Sequence, residues 1–117
     1  MKQTLLFFLI LSYSTSSFLN EKLTATISHQ YLSWEDPVQI EYVVHPYGGS
    51  GNYQYRWRIK GNKFSEYSSD KKFYQEFQCG RNKRPEMSVF VEILDLDSGK
   101  KIMVETTHPV EICTNLN

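Results

Sequence analysis

The three histidines of the chain are the side chains best suited to acid–base catalysis, because imidazole titrates near neutral pH. His29, His45 and His108 fall in three separate strand ends or connections of the predicted element order. The sequence has no Gly-x-Ser-x-Gly turn that would present a nucleophilic serine. A catalytic triad is defined by geometry, and nothing in the sequence selects one. We therefore expect that the protein is not an enzyme.

Asp95 and Asp97 are the best candidates for metal ligands, since they precede Ser98 and Gly99 as at the start of a calcium loop. An EF-hand loop also needs a glutamate at its twelfth position, where this chain has Thr106. Two alternatives stay open: a lesser calcium site held by the two carboxylates, or a hairpin turn whose carboxylates are solvated. We expect the turn, with no metal and no other cofactor.

A glycine-rich segment comprises Gly48, Gly49, Ser50 and Gly51. It has neither the Lys-Ser/Thr pair nor the following helix pattern of a phosphate-binding loop. The segment is therefore predicted to be a loop that needs unusual backbone angles.

Three aromatic residues, Tyr31, Trp34 and Tyr47, fall outside the alternating strand patterns, in predicted connections. Exposed rings at the end of a β-sandwich can stack on sugars or anchor a protein partner. The alternative for Trp34 is to plug the end of the core, because tryptophan is usually well buried. We predict a binding site for a glycan or a protein at the cell surface, and its residues are Tyr31, Trp34, Tyr47, Gly48, Gly49 and Gly51.

Basic residues form a second group, with Arg56 and Arg58 on the outer face of the third strand and a cationic loop at 80–85. Lys60, Lys63, Lys71 and Lys72 lie nearby in sequence. This group could form a patch for an anionic glycan or an acidic partner, or it could be solvated among acidic residues. The whole chain has 13 basic and 13 acidic residues, so nothing points to a nucleic-acid partner.

The elements that must position these residues are strands, because apolar residues recur with a period of two. The predicted strands are 22–28, 38–44, 52–59, 72–79, 87–93 and 101–107, with the last continuing at 110–113 after a bulge or edge at Pro109. A short edge strand at 64–67 is a further possibility, and 97–99 reads as a tight hairpin. Six to eight short strands predict an all-β sandwich.

The first twenty residues have the pattern of a secretory signal peptide. Lys2 precedes the apolar run 5–11, and small residues follow at 12–17. The run is about a third of the roughly 20 residues that span a bilayer, although a buried N-terminal element is the alternative. We expect cleavage between Ser14 and Asn20, one domain over 21–117, secretion or a periplasmic location, and no membrane span in the mature protein.

Cys79 and Cys113 make an even cysteine count, which in an exported protein indicates an oxidised pair. Two free buried thiols are the alternative. We predict one disulfide that holds the last strand near the C-terminus.

The segment from Tyr47 to Trp57 resembles the Gly-Gly-Ser-Gly-x-Tyr-x-Tyr-x-Trp stretch of PKD-like, immunoglobulin-like modules of bacterial exported and cell-surface proteins. Residues 89–100 are similar to the later Val-x-Val-x-Asp-x-x-Gly hairpin of the same modules. The family's Gly-Asp-Gly after the tryptophan is replaced by Lys60-Gly61-Asn62. The resemblance implies an immunoglobulin-like sandwich with Trp57 in its core, and it implies no ligand site.

The functional expectation is a small exported binding or adhesion module that contacts its partner through end loops on a rigid sandwich. The alternative is a structural or assembly component that pairs through an exposed edge strand.

Overall fold

The computed structural model describes residues 22–80 and 85–114. The elements are β1 (Thr24–Ser33), β2 (Val38–Tyr47), β3 (Tyr53–Ile59), β4 (Lys72–Phe77), β5 (Glu86–Asp95), β6 (Lys101–Pro109) and the short helix α1 (Glu111–Thr114). The predicted signal peptide and its cleavage site lie outside the described residues, as do residues 81–84 of the cationic loop. No helix in the described ranges combines the length and the apolar character needed to cross a bilayer.

The strands form two antiparallel sheets of three strands each. Sheet A has the order β1-β2-β4, and sheet B has the order β3-β5-β6. Three connections cross between the sheets: β2 to β3, β3 to β4 and β4 to β5. The predicted all-β class, a β-sandwich with six strands, is confirmed.

The core lies between the two sheets because each strand turns alternate residues inward. In β5 the inward residues are fully or almost fully buried, and in β2 the same holds for the apolar positions. The buried apolar residues of the strands are Val38, Ile40, Tyr42, Val44, Tyr55, Trp57, Met87, Val89, Val91 and Ile93. The period of two in the sequence thus identifies the core face of β2, β3 and β5.

Trp57 is buried in this core, as predicted, with 4% of its surface exposed. Its ring stacks on Phe73 of the opposite sheet, with centroids 5.3 Å apart and planes 6° apart. The stack joins β3 to β4 across the sandwich. Its indole nitrogen has no hydrogen-bond partner among the described residues.

Three predicted element bounds are wrong. β1 continues to Ser33 and β2 to Tyr47, so Tyr31 and Tyr47 lie in strands and not in connections. The predicted strand at 110–113 is a turn of helix, because the chain leaves β6 after Pro109, which cannot donate a ladder hydrogen bond. β6 is an edge strand, as the proline predicts.

The possible edge strand at 64–67 is replaced by an irregular segment along β3. The Ser65 amide donates to the Trp57 carbonyl at 2.8 Å, and Tyr55 and Ser68 exchange both backbone hydrogen bonds. One isolated bridge between Tyr55 and Ser68 is the only ladder contact that this segment makes among the described residues. It covers the edge of β3 without extending the sheet.

The predicted disulfide is present and joins Cys79, just after β4, to Cys113 in α1. Their Cα atoms are 5.3 Å apart. Because β4 belongs to sheet A and α1 follows β6 of sheet B, the bond ties the two sheets together at one end of the sandwich. We call this the disulfide end, and the opposite end, with residues 48–52 and 96–99, the loop end.

Candidate functional site

The most exposed aromatic residue of the described chain is Trp34, which lies in the turn between β1 and β2. Its side chain is 69% exposed, so the alternative in which it plugs the core is wrong. Its ring lies 5.3 Å from that of Tyr31, with the planes tilted by 46°. The structure therefore brings together two of the predicted site residues, and one of them offers a ring to solvent.

Tyr31 connects this exposed ring to the body of the sandwich. Its hydroxyl donates to the Pro109 carbonyl of β6 at 3.3 Å. Its ring also meets the edge of the His29 imidazole, with centroids 6.0 Å apart. A neighbour on each side holds Tyr31 in place, which limits the positions open to Trp34.

The turn that carries Trp34 is also fixed at its other end. Asp36 accepts a hydrogen bond from the Cys79 amide at 3.0 Å through its carboxylate, and the Asp36–Pro37 peptide bond is cis. The Glu35 amide makes a longer contact of 3.4 Å with the Ser33 hydroxyl. Trp34 is thus displayed on a turn that is anchored to the disulfide end.

A groove of about 380 Å³ opens on the outer face of sheet A at the same end. Leu32 and Tyr74, both about half exposed, contribute apolar surface to it, and Gln39 and Glu76 contribute polar groups. Sequence reasoning missed this groove. The sequence did contain a signal for it: Leu32 and Tyr74 are large apolar residues on the outer face of sheet A, where their neighbours Gln39 and Glu76 are polar.

Tyr47 is exposed too, but it lies far from Trp34. It pairs with Thr24 at the start of β1, whereas Tyr31 and Ser33 pair with the start of β2. Nine strand steps separate Thr24 from Ser33, which corresponds to about 30 Å. The six predicted site residues therefore fall into two groups at opposite ends of sheet A.

The glycine loop belongs to the loop end, where Gly48 and Gly49 are held closely. Both have positive φ, and an added Cβ would lie 2.2 Å from the Lys22 carbonyl oxygen at Gly48 and 2.6 Å from the Asp95 carboxylate at Gly49. Gly51 also has positive φ, but its side-chain position faces open space. The first two glycines are therefore required by packing, and only Gly51 leaves room for a ligand.

The Asp95 side chain, 2% exposed, organises this loop. One carboxylate oxygen accepts from the Ser50 hydroxyl at 2.6 Å and from the Asp97 amide at 3.0 Å, and the other accepts from the Ser50 amide at 2.9 Å. The Ser50 hydroxyl, with the backbone amides, lowers the pKa of Asp95 to about 2 even though burial acts in the opposite direction. Both oxygens face hydrogen-bond donors, which supports the structural turn over the calcium site.

The histidines do not share one site. His29 of β1 stacks on His108 of β6, with centroids 3.8 Å apart and planes 12° apart. His45 lies on the outer face of β2, where its Nε2 contacts the Ser28 hydroxyl at 2.7 Å. No group of three or more His, Cys, Asp or Glu side chains within 22–80 and 85–114 is placed to hold a metal ion.

His108 is buried and uses both ring nitrogens. Nε2 lies 2.7 Å from the Tyr42 hydroxyl, and Nδ1 lies 2.9 Å from the Pro109 carbonyl oxygen. The carbonyl can only accept, so Nδ1 carries hydrogen, and in that neutral tautomer Nε2 accepts from the Tyr42 hydroxyl. Burial raises the pKa of Tyr42, which keeps its hydroxyl protonated and able to donate.

A cation–aromatic ladder covers the outer face of sheet B beside β3. The Arg58 guanidinium lies 4.0 Å from the Phe90 ring centroid and 5.0 Å from that of Phe64. Arg56 lies 4.6 Å from the Phe64 centroid and 4.9 Å from that of Tyr67. Of the basic residues grouped by sequence, the structure places Lys72 instead on sheet A, 4.0 Å from Glu41.

No protein-family model, curated protein or solved structure matches the chain. The resemblance to PKD-like modules therefore stays a prediction.

Proposed function

We propose that this protein is an exported, non-enzymatic binding module that contacts a glycan through Trp34 and the groove of sheet A at the same end of the sandwich. The observation that carries the proposal is the 69% exposure of Trp34 on an anchored turn. An exposed indole on an anchored turn presents a large, rigid ring face to a partner, and this property supports a binding role.

Sugar recognition commonly combines an apolar ring face with planar polar side chains. Trp34 offers the ring, and the groove offers the amide of Gln39 and the carboxylate of Glu76. Leu32 lines the groove and lies only two residues before Trp34 in the sequence, so the groove and the exposed ring are at the same end of the sandwich. This combination supports a glycan over a flat protein surface for the disulfide end.

The immunoglobulin-like type of the sandwich belongs to the same proposal. The proposal is supported by the strand orders β1-β2-β4 and β3-β5-β6, which match the orders A-B-E and C-F-G of such domains. Export is supported by the sequence pattern of residues 1–20 and by the oxidised Cys79–Cys113 pair, since disulfides persist in oxidising compartments.

The alternative, assembly through an edge strand, has weaker support. β4 is an edge strand of sheet A, but Lys71 and Lys72 lie at its start. Lysines on an edge are typical of strands protected from pairing. On the opposite side, the edge strands β1 and β6 contact each other through side chains.

The test uses intrinsic fluorescence with a panel of soluble xylo-, cello-, manno- and chito-oligosaccharides. The Trp57→Phe background leaves Trp34 as the only indole, so a bound sugar should shift or quench its emission. Trp34→Ala in the otherwise unchanged chain should weaken binding of the responding sugar, measured by calorimetry, by about tenfold or more.

Tyr47→Ala is the matched control, because it removes an equally exposed ring at the loop end. It should bind the sugar as the unchanged chain does. The proposal fails if no oligosaccharide in the panel changes the Trp34 emission, or if Trp34→Ala binds the responding sugar with unaltered affinity.

A further inference from the structure

The two arginines of the ladder differ in what their guanidinium groups bind. Arg56 donates from Nε and from one terminal nitrogen to the Glu92 carboxylate, both at 3.1 Å. Glu92 also accepts a hydrogen bond from the Tyr67 hydroxyl. Burial opposes ionisation of Glu92, but hydrogen bonds from Arg56 and Tyr67 outweigh it and hold its pKa below the ordinary value. Arg56 is therefore used within the protein.

Arg58 has no such partner. Across the described ranges 22–80 and 85–114, its contacts are the rings of Phe64 and Phe90, and no carboxylate lies within salt-bridge distance. Arg58 pairs with Phe90 of β5, and Phe90 pairs with Glu105 of β6. Among these paired positions Glu105 is the acidic one, and it lies two strand spacings, or about 10 Å, from Arg58. The two rings lie against the guanidinium, while its donors lack a protein acceptor among the described residues.

The planar fork of a guanidinium matches the oxygens of a carboxylate, which can accept two of its hydrogen bonds at once. The surrounding surface points to a protein as the source of that carboxylate. Phe64 and Phe90 already have cations over their rings, so those faces cannot stack on a sugar. Met103, 56% exposed, adds apolar surface on the same face beside Glu92. Arginine, aromatic residues and methionine are the types enriched in protein interfaces.

We propose that the outer face of sheet B around Arg58 is a docking surface for a protein partner. The partner would place an Asp or Glu carboxylate against Arg58 and apolar side chains against the exposed Met103. This surface lies on a different sheet from the groove beside Trp34, and it does not depend on glycan binding there.

The test begins with a library of random peptides displayed on phage. Peptides are selected on the unchanged protein alone. We expect the recovered peptides to share an Asp or Glu flanked by apolar residues. Fluorescence anisotropy should then show that Arg58→Gln weakens a recovered peptide by ~tenfold or more, and that Arg58→Lys, which keeps the charge but not the planar fork, weakens it less.

Lys101→Gln is the control, since Lys101 is a cation on the outer face of β6 that pairs with Leu94 and has no contact with Arg58. It should leave peptide affinity unchanged, as should Trp34→Ala. Near-ultraviolet circular dichroism checks that each variant is folded. If Arg58→Gln does not fold, the peptide's own carboxylate-to-amide variant supplies the same comparison on the unchanged protein.

Three results would overturn the proposal. Recovered peptides could lack a common carboxylate, or they could bind Arg58→Gln as tightly as the unchanged protein. The third is that oligogalacturonate binds in an Arg58-dependent way while no peptide does, which assigns the surface to an acidic glycan instead.

Discussion

At the scale of single residues, Asp95 links the glycine-rich loop to the β5–β6 turn. Its carboxylate gathers the Ser50 hydroxyl and three backbone amides from the two loops. A charged acceptor with several donors is strongly stabilised even when it is buried. The loop is therefore set by one acidic side chain as well as by the freedom of its glycines.

We predict that Asp95→Asn lowers the free energy of unfolding by about 2 kcal/mol at neutral pH. Both carboxylate oxygens accept hydrogen bonds, so either orientation of the amide places its NH₂ group against a donor. Urea denaturation followed by circular dichroism measures the change. The exposed neighbour Asp97 provides the control, and Asp97→Asn should alter stability by less than about 0.5 kcal/mol.

The pKa of Asp95 also predicts that the free energy of unfolding decreases as the pH falls. The pKa of Asp95 is about 2 in the folded chain and near 3.9 when unfolded, so its stabilisation is present above pH ~4. That stabilisation is lost as the pH falls from about 4 to about 2. The difference in unfolding free energy between the unchanged chain and Asp95→Asn should shrink over this interval. A difference that stays constant down to pH 2 would contradict the assignment.

At the scale of elements, the edge strands β1 and β6 meet through rings and not through a hydrogen-bonded ladder. The series runs from Tyr42 through His108, His29 and Tyr31 to Trp34, with each ring within 6.0 Å of the next. Tyr42 and His108 are buried, Tyr31 is partly buried, and His29 and Trp34 are exposed. The proposed binding ring is thus coupled by packing to two imidazoles in the side wall of the sandwich.

This arrangement predicts that acidification destabilises the protein. Partial burial and the neighbouring His108 lower the pKa of His29, while Glu111 acts less strongly in the opposite direction. Unfolded His29 takes up a proton near pH 6.5, so the folded state loses stability as the pH falls through that value. Tyr31 and Tyr42 are the other titratable groups that face the ring.

His29→Phe tests this, because phenylalanine keeps a ring against His108 and removes the titrating group. The loss of unfolding free energy between pH 8 and pH 5, measured by urea denaturation, should be smaller in His29→Phe than in the unchanged chain. His45→Gln removes an imidazole from the outer face of the same sheet and serves as the control. Equal losses in the unchanged chain and in His29→Phe would refute the role of the stack.

β3 and β5 were predictable because each buries one face, so apolar and polar residues alternate along its sequence. β3 and β5 follow the predicted bounds to within two residues, and Trp57 is buried as expected. The ends of β1 and β2 were not predictable, since His29, Tyr31 and Tyr47 are polar or aromatic residues that suit either a strand or a loop. The short helix was missed because Val110 and Ile112 also fit an alternating pattern.

The candidate site was only partly predictable, for a reason that belongs to the whole molecule. The sequence pattern placed Trp34, Tyr47 and the glycines in predicted connections and so in one binding site. The antiparallel register of β1 and β2 instead puts Tyr47 and the glycines at the opposite end of sheet A from Trp34. The ladder depends on Phe64 and Tyr67 lying along β3, which no local pattern encodes. Contacts across strands follow from topology, and topology is weakly determined by spacing.

The disulfide is the feature through which both sheets and the Trp34 turn are joined. Cys79 and Cys113 are 34 positions apart, and closing a loop of that length in the unfolded chain is worth roughly 3–4 kcal/mol. We predict that Cys79→Ser with Cys113→Ser lowers the unfolding free energy by about this amount, measured by urea denaturation. Because Asp36 binds the Cys79 amide, acrylamide should also quench Trp34 more readily in this variant, both measured in the Trp57→Phe background. A loss below about 1 kcal/mol, with unchanged quenching, would show that packing alone holds the disulfide end together.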